Sequence, residues 1–535
     1  MLAYDGAFAA REGNGAMPAR RVVTIGLDAF DRNLLARWGA AGLLPHLRAL
    51  MDQGAQAAVA NPRGFEPGSS WPSFAYCLPP AVHGQFDGMM RFDTALYAPR
   101  TMEAHERAAV PFWMDAGAAG RRVAIVDVPY ALLETAINGV QVTDWLCHVY
   151  RTRAIATLPA GLGRRIVRDH GDAPFDRTLV CPTDFARLPD AASVLRFRDA
   201  LLDRVARKAA FLEALLREHP WDLFLAVFHD AHDIGHMTWH LHDPAHPRHD
   251  ATLAAAAGDP VLDVYRALDA AIGRLRAAAG DALFVVYGNV GMGEERTGSH
   301  FLDDILRRLA AAYDGAPAAA APAPPPAAGG IGALYRSMVP ATLREAVART
   351  PAMRRRYRRA SQEAAAAARR ARPFFELAAN HATGGVRLNL KGREAAGRIE
   401  PGEAAALCAR LARDLTAIVN VDSGQPMIRA AVPTSALHDG PARVLLPDLL
   451  LEWDRAAPIR RVGSPLLGEL TNTRTRSRTG DHAEKLGFVL AAGVGVEPAR
   501  PGEPVGVCDL APALLAALGV PVGRFPGRPA PVLGT

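Results

Sequence analysis

Cysteine is scarce in this chain of 535 residues. Cys77, Cys147, Cys181, Cys408 and Cys508 are the full set, without CxxC or CxC spacing. That scatter excludes a zinc ribbon and a disulfide-stapled scaffold, and it fits a reducing compartment. Long apolar runs are missing too: no stretch of about 18 consecutive apolar residues is present to span a bilayer. The first twenty residues mix Gly, Ala and both charge signs, without the apolar segment of a secretory signal. A soluble, cytoplasmic protein is expected. Aromatics are only 7% of the chain, and the net charge of +6 is mild for this length, so composition does not point to a nucleic-acid binder. No internal repeat of about 20 to 50 residues is found, which excludes a solenoid or propeller.

What is present is a large apolar complement, 50% of the residues, arranged as alternating strands and helices. RRVVTIGLDAF reads as a buried strand over Val22–Leu27 that stops at Asp28, followed by a helical pattern around a Gly-Leu-Leu-Pro break. The same rhythm recurs at RRVAIVDVP, at WDLFLAVF, at DALFVVYGN and at KLGFVLAAG with CDLAPALLAALGV. It predicts an α/β fold, a mostly parallel sheet sandwiched between helices. The expected organisation is a disordered tail over 1–20, a first part of the core over 21–312, an insertion over 313–372 and a second part of the core over 373–535. The insertion opens with a Pro/Ala tract that reads as a linker. It continues as helix-prone sequence with ten arginines between Arg344 and Arg372. Without an aromatic stacking platform, that segment reads as a solvated basic insertion, and no nucleic-acid partner is expected. Nothing in the sequence specifies an oligomeric state.

Chemistry concentrates where WDLFLAVF ends in HDAHDIGHMTWHLHD. His232 and His236 are four apart, so on a helix both imidazoles project from one face, about one turn apart, as ligands of a single ion can. Open α/β sheets place their sites at the carboxyl ends of strands. Asp28 would emerge at the same edge, although an Asp after a strand is as often a turn residue or helix cap. In EPGSSWPSFAYCLPPAVHG, Pro72 suits a first helical position. That would leave Ser70 just outside the helix, facing free backbone N–H groups; a plain helix start with capping serines is the simpler reading of the pattern alone. His482, in RTGDHAEKLGFVLAAG, would complete a three-histidine site with His232 and His236. Three protein ligands and one open position mark a catalytic rather than a structural zinc.

The order of these features resembles the alkaline phosphatase superfamily, and within it the type I phosphodiesterase/nucleotide pyrophosphatase branch. IGLDAF, the spacing from Trp71 to His83-Gly84, the turn ending in Gly235-His236, VVYGNVGMG, TGDH and DLAPALLAALGVP carry the likeness, which covers most of the chain outside the tail and the insertion. The resemblance implies a hydrolase of small phosphorylated substrates with two metal ions, usually zinc, about 4 Å apart, and a Thr or Ser nucleophile between them. It matches Asp28 to the ligand of the nucleophile-side ion and His236 and His482 to ligands of the other. The nucleophile is Ser69 or Ser70; the family's Thr/Ser-x-Pro pattern favours Ser70, whereas counting back from His83 without gaps lands on Pro67.

The chain departs from the family pattern at two places. His232 stands where the family has an aspartate, with Asp230 and Asp233 as neighbouring carboxylates. Gly288-Asn289-Val290-Gly291-Met292 stands where the family reads Ser-Asp-His-Gly-Met, so an aspartate ligand becomes Asn289, a weaker donor, and a histidine ligand becomes Val290. One or two zinc ions, or other divalent metals, are therefore expected, with Asp28, His232, His236, His482 and Asn289 as ligands. A zinc on three histidines keeps its full double positive charge and is a strong Lewis acid. The rival expectation is a catalytically silent member that binds an anionic ligand. A sulfatase or phosphonate hydrolase ranks lower, since no Cys-x-Pro-x-Arg motif is present. Arg387 and Arg393 are expected in salt bridges rather than on a substrate phosphate.

Overall fold

The structure is a computed structural model that describes residues 20–152, 154–176, 187–315, 351–377, 382–472 and 478–533. The expected N-terminal tail up to residue 19, the Pro/Ala tract, the arginines before residue 351 and Cys181 lie outside these residues. The chain divides into two compact units: 1–89, 103–295 and 475–535 form the first, and 90–102 with 296–474 form the second.

The first unit is built on nine strands: β1 (Val22–Leu27), β2 (Ala55–Ala60), β3 (Val123–Val126), β4 (Gly139–Thr143), β5 (Ala156–Leu158), β6 (Leu223–Phe228), β7 (Leu283–Gly288), β8 (Gly487–Ala492) and β9 (Val505–Gly506). Their order across the sheet is β9-β2-β8-β7-β1-β6-β3-β4-β5. The central strands β7, β1, β6, β3 and β4 are mutually parallel, while β8 runs antiparallel to both its neighbours and β5 antiparallel to β4. The expected α/β architecture with a mostly parallel sheet is what the chain adopts.

The apolar runs are continuous because both faces of the sheet are covered, and strand alternation sorts them. Val23, Ile25 and Leu27 of β1, with Phe224, Ala226 and Phe228 of β6, join one core. Val22, with Leu223, Leu225 and Val227, faces the other. The first core is closed by the helices α2 (Ala191–Glu218), α3 (Asp230–His242) and α4 (Pro260–Ala279), through residues such as Leu201, Ile234 and Leu268. Trp71 and Phe74 of helix α1 (Glu66–Tyr76), with Leu510 and Leu514 of the helix Val507–Ala517, close the second.

In the second unit, a four-stranded antiparallel sheet orders Phe374–Glu376, Gly384–Leu388, Leu449–Trp453 and Ile428–Pro433. The helices Leu302–Tyr313 and Ala404–Thr416 pack with it around a separate core. Arg387 and Arg393 are here in ion pairs: Arg387 Nε donates to Glu394 at 2.7 Å, and Arg393 makes a two-pronged contact with Asp448. The basic helix Pro351–Arg370 also belongs to this unit, where Arg369 donates to the Tyr97 carbonyl. No helix among the described residues is long and apolar enough to cross a membrane.

Candidate metal centre

Register decides which side chains meet. Leu27, the last residue of β1, pairs with Phe228 on one side and Gly288 on the other. The residues that follow, Asp28, His229 and Asn289, are therefore delivered to one row at the carboxyl edge of the sheet. The backbone N–H of Asp28 donates to the Phe228 carbonyl at 2.9 Å and holds that row together.

Helix α3 starts one residue past His229, so His232 and His236 share a face, with ring centroids 4.5 Å apart. His482 approaches from the segment before β8, 5.2 Å from the first ring and 4.9 Å from the second. One ring nitrogen from each of the three lies within 4.8 Å of the others. Gly480 makes this approach possible: a Cβ there would stand 2.2 Å from the Gly235 carbonyl oxygen. The close contact lets His236 Nδ1 donate to the Gly480 carbonyl at 2.7 Å, which leaves Nε2 as the lone-pair nitrogen. Burial holds His236 and His482 neutral, His482 pushed down to about 3, and neighbouring Arg478 and His232 act in the same direction. Arg478 Nη1 lies 3.5 Å from His236 Nε2, placing a cation beside the cluster.

Two residues that sequence reasoning did not single out stand around Asp28. His148, from the loop after β4, has its Nδ1 3.3 Å from Asp28 Oδ2, and His229 Nδ1 is 3.6 Å from the same oxygen. The two Nδ1 atoms are 2.9 Å apart. Asp28 Oδ1 accepts from Trp71 Nε1 at 2.7 Å, while Oδ2 is buried without a hydrogen-bond partner. Burial alone would raise this carboxyl, but the imidazoles of His229, His148 and His232 hold it well below the usual carboxylate range. His148 is itself driven well below its ordinary value, first by burial and then by His232. His148 and His232 are adjacent rings, 4.2 Å between centroids, so five histidines form one continuous group. The available signal was that His229 directly follows β6, a placement the α3 pair overshadowed.

Asp230 and Asp233 do not stand in for the missing aspartate. Arg204, fully buried on α2, donates from Nε to Asp230 Oδ1 and from Nη2 to Asp233 Oδ2, both at 2.6 Å. One turn on, Lys208 donates to the Leu146 and Val227 carbonyls and pairs with Asp127 at 2.9 Å. Asp233 keeps a link to the centre through Oδ1, 3.5 Å from His232 Nδ1.

The serine helix departs from expectation. Helix α1 begins at Glu66 with Pro67 in its first turn, so Ser69 and Ser70 lie inside it and Pro72 is an interior proline. Pro72 has no N–H for the carbonyl of Gly68, and the backbone N–H of Gly88 takes that acceptor at 2.7 Å. A loop contact thus replaces the lost helix bond, which is why the proline does not set the helix start. The two serines point to different partners. Ser69 Oγ donates to the Gln85 carbonyl at 2.8 Å and sits 3.4 Å from His83 Nε2. Ser70 Oγ accepts from Asn289 Nδ2 at 3.0 Å and lies 3.4 Å from the Pro67 carbonyl. Asn289 Oδ1 accepts from the Ala29 N–H at 2.8 Å, so the amide ties Ser70 to the residue after Asp28. Val290 is buried in the first core. Among the other histidines of the sequence cluster, His240 contacts Thr479 and His242 pairs with Asp259.

The sequence model of the family described as Type I phosphodiesterase / nucleotide pyrophosphatase matches residues 22–457. No curated protein matches the chain. Among solved structures, phosphonoacetate hydrolase from Sinorhizobium meliloti 1021, in complex with phosphonoformate, is similar at 13% identity, over 94% of this chain and 96% of that one, with a TM-score of 0.48. Murine ectonucleotide pyrophosphatase / phosphodiesterase 5 is similar at 12% identity, over 94% and 96%, with a TM-score of 0.47.

Proposed function

Since the chain belongs to the type I phosphodiesterase/nucleotide pyrophosphatase family, we propose that it is a metal-dependent hydrolase of a small phosphodiester or nucleotide-like substrate. In this reading His232, His236 and His482 hold zinc or another divalent ion, and Ser70 is the nucleophile. The observation that carries it is the convergence of three imidazoles at the carboxyl edge of the sheet, with Asp28 and a serine tied to the same row.

The donor set fits such an ion. Imidazole nitrogens suit zinc and its first-row neighbours, and the His236 bond to Gly480 turns the other ring nitrogen inward. When bound, zinc supplies Lewis acidity at phosphoryl oxygens and lowers the pKa of water. The chain's own residues do the rest. The N–H of Asn289 on Ser70 Oγ favours the charged form of the hydroxyl. Ser70 attacks phosphorus, forming a serine phosphate ester as the bond to the leaving alcohol breaks, and water cleaves that ester in a second step. Arg478 supplies positive charge for the substrate phosphate. Asn289, with its oxygen engaged by Ala29, acts as a positioning residue for Ser70. Among the described residues, Cys77, Cys147, Cys408 and Cys508 are not joined in disulfides.

One observation favours a second reading: Ser70 is fully buried inside α1. Hydrolysis would then proceed without the serine, or the protein would only bind an anionic ligand. A panel of aryl phosphate mono- and diesters, assayed with zinc supplied, separates the readings. Ser70→Ala and His236→Asn are each expected to lower the rate at least about 100-fold. A full rate in Ser70→Ala with loss in His236→Asn removes the serine from the mechanism, and no turnover of any ester by the zinc-loaded protein leaves the binding reading.

A further inference from the structure

We propose that Asp28, His148 and His229 form a second divalent-metal site, of a zinc-like ion, relocated from Asn289 and Val290 to histidines that follow β4 and β6. Binding of this ion follows from the geometry of the three groups; only its use in catalysis rests on the hydrolase reading above.

The separations come first. Asp28 Oδ2, His148 Nδ1 and His229 Nδ1 form a triangle with edges of 2.9, 3.3 and 3.6 Å. Zinc in tetrahedral coordination, with bonds of ~2.0–2.1 Å, sets its ligand atoms ~3.3–3.4 Å apart. The three edges bracket that spacing, so one ion fits about 2 Å from all three atoms, with a fourth position open.

The outer bonds come second. His229 Nε2 contacts the Asp127 carbonyl at 2.9 Å and must be its N–H donor, which makes Nδ1 the lone-pair nitrogen. Asp28 Oδ1 is anchored by the Trp71 indole, and Oδ2 is buried with no hydrogen bond, facing both imidazoles. Asp127, which orients His229, is itself fixed by Lys208 and by the N–H groups of Trp145 and Leu146. A ligand held by an outer hydrogen bond that leaves its donor atom facing inward is how metal sites are oriented. All three groups are buried, yet His148 and His229 also line a solvent-open pocket together with Arg151 and Tyr130. That pocket supplies an entry path for the ion.

Register explains the relocation. His229 follows β6, on the other side of Asp28 from Asn289, which follows β7. With Asn289 committed to Ala29 and Ser70, the ligands that complete Asp28 come from the β6 and β4 side. His148 and His232, 4.2 Å between rings, make this group the immediate neighbour of the three-histidine group.

The test is metal stoichiometry. The chelator-stripped full-length protein is titrated with Zn²⁺ and read by plasma mass spectrometry, with Co²⁺ absorption as a second signal. The variants keep the outer bonds. His229→Gln retains a donor to the Asp127 carbonyl but lacks Nδ1, and His236→Asn retains a donor to the Gly480 carbonyl but lacks Nε2. The wild type should bind two equivalents, each single variant one, and the double variant none, while Asn289→Ser keeps two. Two equivalents retained in His229→Gln and in His148→Gln overturn the proposal. A wild type that binds one ion, lost only in His236→Asn, also overturns it, assigns the triangle to a hydrogen-bonded cluster and leaves the hydrolase reading standing. No ion in the wild type sinks both. Should His229→Gln not fold, anomalous diffraction from zinc-soaked wild-type crystals decides, by a peak within the triangle or its absence.

Discussion

Replacing Arg204 by Met tests how the centre is held. The guanidinium is fully buried and makes 2.6 Å contacts to Asp230 and Asp233, which are buried as well. Burial opposes its charge, but the two carboxylates outweigh that and raise its pKa further, so the group is a permanent cation. Removing one partner of a buried ion pair costs about 3–5 kcal/mol, because the remaining charge is left uncompensated. Here two carboxylates are orphaned, and their escape is to take up protons. At pH 7, protonating an Asp of ordinary pKa near 3.9 costs about 4 kcal/mol, falling to about 1.5 kcal/mol at pH 5. The variant should therefore lose about 4 kcal/mol or more at pH 7 and markedly less at pH 5. Replacing both aspartates by Asn alongside Arg204→Met should recover all but about 1–2 kcal/mol, since an exchanged pair leaves no charge behind. Urea unfolding of the metal-free proteins at the two pH values, followed by circular dichroism, measures this. A loss under about 1 kcal/mol at pH 7, or a loss that is the same at pH 5, would refute the claim that Arg204 neutralises two ionised carboxylates.

His148, His236 and His482 are held neutral below their ordinary value of 6.5, so their contribution is full above pH 6.5 and is lost as pH falls. The metal-free protein should lose stability at a slope that rises toward about 4 kcal/mol per pH unit well below pH 6.5, about 1.4 from each histidine. Asp31, pushed up to about 6 chiefly by burial, works the other way, its stabilisation being present below about pH 4 and lost as pH rises through 6; one carboxyl does not outweigh three imidazoles, and a Tm that is flat between pH 7.5 and 5 refutes the balance. In Gly26→Ala the new Cβ would lie 2.6 Å from the Trp71 ring and 2.8 Å from Val227. A cost of about 1–3 kcal/mol in thermal unfolding is expected, with a fall in phosphodiester turnover because Trp71 anchors Asp28; unchanged values for both would show that the ring shifts freely.

The sequence alone determined the strands and the kind of sheet they build. VVTIGL, LFLAVF and LFVVYG are apolar on both faces and fit only a sheet covered on both sides, and the described strands coincide with them. It also determined that His232 and His236 share a helix face, since that follows from their spacing. The long helix α2 carries no such pattern around Arg204 and Lys208, so the buried cations behind the centre were not legible. Nor was the start of α1, because the Gly88 bond that makes an interior Pro72 tolerable comes from outside the helix. The grouping of Asp28, His148 and His229 was decided by tertiary structure alone. These residues lie 120 and 81 positions apart in turn, and no local rule relates them. Strand order and register bring them to one edge, where hydrogen bonds from Trp71 and to Asp127 aim the lone pairs of Asp28 and His229 at a common point.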